Sequence, residues 1–168
     1  MDLIRFTDDK TRHEIWELLD AGWEDWAAPV DQFLAHAVGS IAAVYAGDSV
    51  EWLEINYWRN SGRLIVFPSQ DGPFGDRGER VCFELSSKHM EAESPRIGRL
   101  VPEAEQDGAM ETLASRVWLQ VSECLTRGQA ARELVAARRS HKLRISGYDD
   151  QPGEGPFRLA ESRAIASP

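Results

Sequence analysis

The chain is poor in the residues that cross-link a protein or insert it into a membrane. Only two of its 168 residues are cysteines, Cys82 and Cys124, which is too few for a disulfide framework and fits no metal-ligand spacing. No apolar run approaches the roughly 20 residues of a membrane span, and the first residues lack the basic and apolar stretches of a signal peptide. We therefore predict a soluble cytoplasmic protein that does not bind membranes.

The sequence also lacks the motifs of common enzyme classes. It contains no Gly-x-Ser-x-Gly motif, and the Gly-rich segment 71–78 joins two predicted strands, whereas a phosphate-binding loop would open a helix. The four histidines fall in four different predicted elements: His13, His36, His89 and His141. A second imidazole one turn from the first, which a helical zinc site needs, is missing. We predict no catalytic residue, no metal and no cofactor.

The length is that of one domain, large enough to bury about 70% of the surface that the unfolded chain exposes. We expect this domain to cover residues 1–148. From 149 to 168 the composition is rich in polar residues, proline and glycine and cannot bury enough apolar area to offset the entropy of ordering. The sequence therefore predicts a flexible tail at 149–168.

Apolar residues at three- and four-residue spacing predict helices. The first runs from Asp8 or Asp9 to Pro29, which we expect to end it because proline lacks the N–H that a helix interior uses. A second covers about 30–46 and is closed by Gly47, and a shorter one covers about 129–139. The clearest helix covers 108–126, where one stripe contains Met110, Leu113, Ala114, Val117, Trp118, Val121 and Leu125.

Between these helices the pattern changes to the period of two that is typical of strands. Segments 50–58, 63–67 and 80–85 predict an antiparallel β-meander over about 50–85, with further edge strands near 97–101 and 142–146. The predicted fold class is α+β. In it, the N-terminal helices and the 108–126 helix pack on the meander.

Charge is distributed unevenly along the chain. Residues 1–57 contain twelve of the 28 acidic residues but three of the 19 basic ones, so this third carries −9 and the rest is neutral. A surface of one sign attracts a partner of the opposite sign and speeds its encounter. The distribution favours a basic protein as partner, and it argues against nucleic acid, because the summed field repels a polyanion.

Two surfaces are candidates for that contact. The first is the acidic side of the first helix, to which we assign Glu17, Asp20, Glu24 and Asp25. The second is one face of the first strand, where aromatic and polar residues alternate: Trp52, Glu54, Asn56 and Trp58. Aromatic anchors beside polar groups are typical of binding surfaces. The alternative is that a helix covers this face and both indoles belong to the core.

A short segment has the opposite charge. Residues 127–144 carry six basic side chains against one acidic residue, Glu133. Two explanations stay open: the segment binds nucleic acid or another partner, or it pairs with the acidic helices of its own chain.

Three classes of function remain. Charge favours a non-enzymatic, small acidic binding protein, an immunity- or antitoxin-like inhibitor that neutralises a basic partner enzyme by one-to-one binding and is a monomer when free. The second class is a small enzyme whose site has no sequence motif. Its candidate residues are Glu54, His36, His89 and Cys82. The third is an adaptor subunit of a larger complex, which would use the same acidic and aromatic surfaces.

Overall fold

The computed structural model describes residues 23–47, 50–69, 82–87, 90–91, 103 and 106–149. The elements, in chain order, are helix α1 (Trp23–Val44), strands β1 (Trp52–Trp58), β2 (Arg63–Ser69) and β3 (Phe83–Ser86), helices α2 (Gln106–Arg127) and α3 (Gln129–Ala137), and strand β4 (Arg144–Asp149). A 3-10 turn, Arg59–Ser61, connects β1 to β2. The α+β fold class is confirmed.

The four strands form one sheet in the order β3-β2-β1-β4. β1 and β2 pair antiparallel, with Trp52 opposite Ser69 and Trp58 opposite Arg63, and β3 pairs antiparallel with β2. The predicted meander is therefore confirmed. The predicted strand near 142–146 is present as β4, but it lies parallel to β1, because helices α2 and α3 carry the chain back before it rejoins the sheet. The segment 97–101 lies outside the described residues.

Helix α1 continues through Pro29, so the predicted end of a helix at this residue is wrong. The proline ring is exposed, and its missing N–H removes a single hydrogen bond from the second turn of the helix. Directly after it, Val30, Leu34 and Ile41 are buried and hold the helix against the core. The part of the predicted first helix that precedes Trp23 lies outside the described residues.

The core lies between the helices and one face of the sheet. On β1 the alternate residues Leu53, Ile55 and Tyr57 have no exposed surface. Helix α2 presents its predicted stripe to the same core, and the stripe members that are buried there are Leu113, Ala114, Val117, Trp118, Val121 and Leu125. Helical spacing therefore identified the buried face of α2, and period-two spacing identified the apolar face of β1.

Tyr57 connects the helical layer to the sheet. Its ring meets the indole of Trp118 edge-to-face, with 6.1 Å between the ring centroids. Its hydroxyl donates a hydrogen bond to the backbone carbonyl of Met90. The buried phenol therefore has both an apolar and a polar partner, which is how large aromatic residues are accommodated in a core.

Candidate functional site

Helices α1 and α3 are joined by a helix cap that comes from outside α3. Gly128 occupies the N-cap position and has no side chain to offer. The carboxylate of Asp31, on α1, takes that role: Oδ2 accepts from the N–H of Gln129 at 2.8 Å, and Oδ1 accepts from the N–H of Ala130 at 3.0 Å. These bonds satisfy two of the amides that a helix leaves unpaired at its start and place a negative charge at its positive end.

The far ends of the two helices are also connected. His141 follows α3 and is buried, and its Nε2 lies 3.3 Å from the carbonyl oxygen of Ala42, in the last turn of α1. Since a carbonyl only accepts, we assign the proton to Nε2, which then satisfies an otherwise unpaired carbonyl at the helix end. Nδ1 of His141 is buried and has no hydrogen-bond partner among the residues that the structure describes. Helices α1 and α3 are thus held together by polar contacts at both ends.

An open groove with a volume of about 510 Å³ lies between these contacts. Its walls are the facing sides of α1 and α3, and the lining residues are Gln32, Ala35, His36, Gly39, Ser40, Gln129 and Glu133. The carboxylate of Glu133 lies against Gly39, because a Cβ added to that glycine would be 3.2 Å from Oε2. The ring of His36 also packs edge-to-face on Phe83, with centroids 5.5 Å apart.

Asp31, Gly39 and Glu133 are absent from the sequence-based candidates. In the sequence, two glycines were the features that could have pointed to this contact between the helices. Gly39 interrupts a helix interior, where alanine would be more favourable by about 1 kcal/mol, and Gly128 stands where a capping side chain is usual. A glycine marks a place of close approach, but it does not show which residue approaches.

The strand face that was predicted to bind a partner is covered at its centre. Glu54 is only 4% exposed and Asn56 is buried beside it. Trp52 is half-buried, and the guanidinium of Arg144 lies 5.4 Å from its ring centre. At the end of the strand, Trp58 is 37% exposed and is the member of this face that a partner reaches most directly. Its role as an anchor stays a prediction.

The acidic candidates of the first helix are described only in part. Glu17 and Asp20 lie outside the described residues, and for Glu24 and Asp25, in the first turn of α1, the structure describes the backbone alone. The assignment of these four residues to a partner contact therefore stays a prediction.

Most basic side chains of the segment 127–144 lie on the surface. Four of its side chains are exposed and form no ion pair with any residue in the described ranges: Arg127, Arg132, Arg139 and Lys142. Arg138 differs, because its Nε and Nη2 donate to the carbonyl of Leu143 at 3.0 and 2.9 Å. Pairing with the acidic helices, one of the two explanations for this segment, is thus not observed where the structure describes both partners.

Comparison with known protein families, curated proteins and solved structures found no match to this chain. Function is therefore inferred from charge, burial and geometry. Of the helices described here, none has the length and apolar character that crossing a membrane requires.

Two of the candidates for a motif-less enzyme, His36 and Glu54, lie on opposite sides of the sheet. His36 contacts Phe83, which shares the helical face of the sheet with its register partner Val66, whereas Glu54 lies on the opposite face. Cys82 is exposed next to the start of β3, and His89 lies outside the described residues. Within the described ranges, no three His, Cys, Asp or Glu side chains come together as a possible metal site.

The buried thiol of Cys124 is held in its neutral form. Burial raises its pKa to about 11, and this outweighs the opposing effect of the hydrogen bond that Gln120 Nε2 donates to Sγ at 3.4 Å. Because the thiolate is the nucleophilic form, Cys124 is inert at neutral pH.

Thiol labelling with Ellman's reagent at pH 8 is expected to separate the two cysteines. The exposed Cys82 should react rapidly in the native protein. Cys124 should react only after denaturation, since a pKa of about 11 leaves about one thiolate in a thousand at this pH. Cys82→Ser should abolish the rapid phase. Rapid labelling that persists in this variant would show that Cys124 is accessible.

Proposed function

We propose that this chain is a non-enzymatic acidic binding protein of the bacterial cytoplasm, an immunity- or antitoxin-like inhibitor that neutralises a basic partner enzyme by one-to-one binding. The supporting observation is the separation of charge: residues 1–57 carry −9 and the remainder is neutral. Four cations of the basic segment are exposed and form no ion pair with any residue that the structure describes. A negative charge of this size in one third of the chain would attract a basic partner.

Inhibition would proceed by electrostatic steering, followed by steric blocking of the partner's phosphate-binding surface. Enzymes that act on nucleic acids hold phosphates with basic surfaces, and these surfaces attract an acidic protein from a distance. Once the complex forms, the inhibitor occupies the place of the phosphates. Within such an interface a partly exposed indole such as that of Trp58 supplies the apolar contact that slows dissociation.

Reversing three acidic residues of the first helix is expected to slow association with the product of the neighbouring gene. In the variant Glu17→Lys, Asp20→Lys, Glu24→Lys we expect an association rate constant about ten- to a hundredfold lower at low ionic strength, because the steering field is lost. In the wild type, raising the salt concentration should lower the same rate constant, since exposed charges more than about 10 Å apart are screened at 0.1 M. Stopped-flow or surface plasmon resonance kinetics at two ionic strengths measure both effects.

A matched control makes the same change in net charge elsewhere on the surface. Glu103, Asp107 and Glu123 are exposed and lie outside the acidic third, so their joint replacement by lysine should lower the association rate constant much less. Equal slowing by both triple variants would mean that net charge, and not the acidic helix, determines the rate. An association rate that changes neither with salt nor in the first variant would remove the basis of the proposal.

The same kinetics test the two tryptophans of β1. Trp58→Ala should raise the dissociation rate constant by about thirtyfold, which corresponds to about 2 kcal/mol, because an anchoring indole is lost from the interface. Trp52→Ala should have a smaller effect on dissociation, because this indole is half-buried under Arg144 in the chain itself. A larger effect at Trp52 would place the contact at the other end of the strand.

A further inference from the structure

The groove between α1 and α3 presents hydrogen-bond acceptors from both of its walls. Four of the lining residues have side chains with an oxygen that can accept a hydrogen bond: Gln32, Ser40, Gln129 and Glu133. Glu133 is half-buried and makes no hydrogen bond or ion pair with any described residue. A carboxylate that lines a groove without a partner is a place where a cationic group gains a charge-assisted hydrogen bond.

Gly39 allows the carboxylate of Glu133 to lie close to the backbone of α1. A Cβ at residue 39 would be 3.2 Å from Oε2 of Glu133, so the carboxylate would have to shift by a few tenths of an ångström to accommodate it. At this position α1 therefore has no side chain between its backbone and the carboxylate.

No described charged side chain forms an ion pair with Glu133. The N-terminus of α3, which is the positive end of its dipole, is capped by Asp31, whose two carboxylate oxygens accept hydrogen bonds from the amides of Gln129 and Ala130. Arg132 precedes Glu133 in sequence, yet it is exposed and no ion pair joins the two side chains. The charge of Glu133 is therefore available to a group that enters from outside.

We infer that this groove receives the guanidinium group of an arginine side chain from the basic partner. The inference rests on the proposed function, because a basic protein is the source of that side chain. A guanidinium is planar, presents five N–H donors in a fixed arrangement and pairs with a carboxylate through two parallel hydrogen bonds. These properties suit a shallow groove in which acceptors stand on two helices. A lysine ammonium is compact and strongly hydrated, so it would engage fewer of them.

Titration of the full-length, ¹⁵N-labelled protein with N-acetyl-arginine methylamide tests the inference. We expect saturable shifts of the backbone amide signals of Gly39, Ser40, Gln129 and Glu133. In E133Q, which keeps the size of the side chain and removes its charge, the dissociation constant should rise about tenfold or more. N-acetyl-lysine methylamide should bind more weakly than the arginine compound.

Two further variants complete the experiment. E123Q removes an exposed carboxylate on α2, outside the groove, and should leave the affinity for the arginine compound unchanged. Gly39→Ala keeps the charge and crowds the carboxylate, and it should weaken binding even if E133Q proves poorly folded.

Absence of shifts at the groove amides, unchanged affinity in both groove variants, or equal affinity for the lysine compound would overturn the assignment of a guanidinium site. Such a failure would leave salt-dependent binding to the neighbouring gene product unaffected. Conversely, loss of that binding alone would remove the proposed function, while the titration would still report on the groove.

Discussion

Replacing Gly128 by alanine is expected to lower the free energy of unfolding by about 2–3 kcal/mol. A Cβ at this position would lie 2.7 Å from Cγ of Asp31 and closer still to its Oδ1, so the carboxylate has to move. Its movement breaks the hydrogen bonds to the amides of Gln129 and Ala130. Loss of a helix cap costs about 0.5–2 kcal/mol, and hydrogen bonds to charged groups contribute about 1.5–3 kcal/mol each.

A double-mutant cycle identifies this mechanism. Asp31→Ala alone should cost about 2 kcal/mol, because it removes the cap without adding a clash. In the Asp31→Ala background, Gly128→Ala should be neutral or stabilise the protein by about 0.4–1 kcal/mol, since the backbone of Gly128, at φ −81°, is accessible to alanine. Urea unfolding of the wild type, both single variants and the double variant measures the coupling. A cost of Gly128→Ala that is equal in both backgrounds would contradict the cap.

Truncation of Trp118 to alanine is expected to cost about 3–5 kcal/mol, the range for removing a large buried aromatic residue. The indole is 5% exposed, and its loss leaves a cavity beside Tyr57, which also loses its edge-to-face partner. The next residue on the helix supplies a matched control. Leu119 is 63% exposed, so Leu119→Ala should change stability by no more than about 0.5 kcal/mol.

Thermal or urea unfolding of the two variants tests the orientation of α2. Both variants place an alanine at adjacent positions of the same helix and leave the net charge unchanged. The difference between their free energies of unfolding therefore reports mainly the difference in burial between Trp118 and Leu119. Trp118→Phe, which retains an aromatic ring in the cavity, should cost less than Trp118→Ala. Similar losses at positions 118 and 119 would show that the helix does not present its predicted stripe to the core.

Local patterns were sufficient where a segment's own period decides the outcome. The stripe of α2 and the alternation of β1 each predict which side chains share a face. A face of mostly apolar residues is buried whichever element it packs against. That is why Val117 and Ile55 are both fully buried, as expected. The short turn between β1 and β2 made their antiparallel pairing predictable in the same way.

Predictions failed or stayed open where a distant segment decides. The end of the helix at Pro29 was wrong because a local penalty of about 3 kcal/mol is small against the packing of the residues that follow. The alternation of β1 predicted correctly that Trp52, Glu54 and Trp58 share a face. It could not predict that Glu54 is buried while Trp58 stays accessible, because that depends on residues outside the strand. Nor does the period of β4 state whether it joins the sheet parallel or antiparallel.

The sequence by itself determined the types of the helices and strands, the buried face of α2, the apolar face of β1 and the concentration of negative charge in the first third. These properties follow from composition and from the backbone periods of helices and strands. Only the tertiary structure decided that Asp31 caps a helix 98 residues away, that His141 reaches Ala42, and that Glu133 lies against Gly39. The reason is physical: a local pattern fixes the direction of a side chain relative to its own element, whereas the partner that it meets depends on how elements distant in sequence pack together.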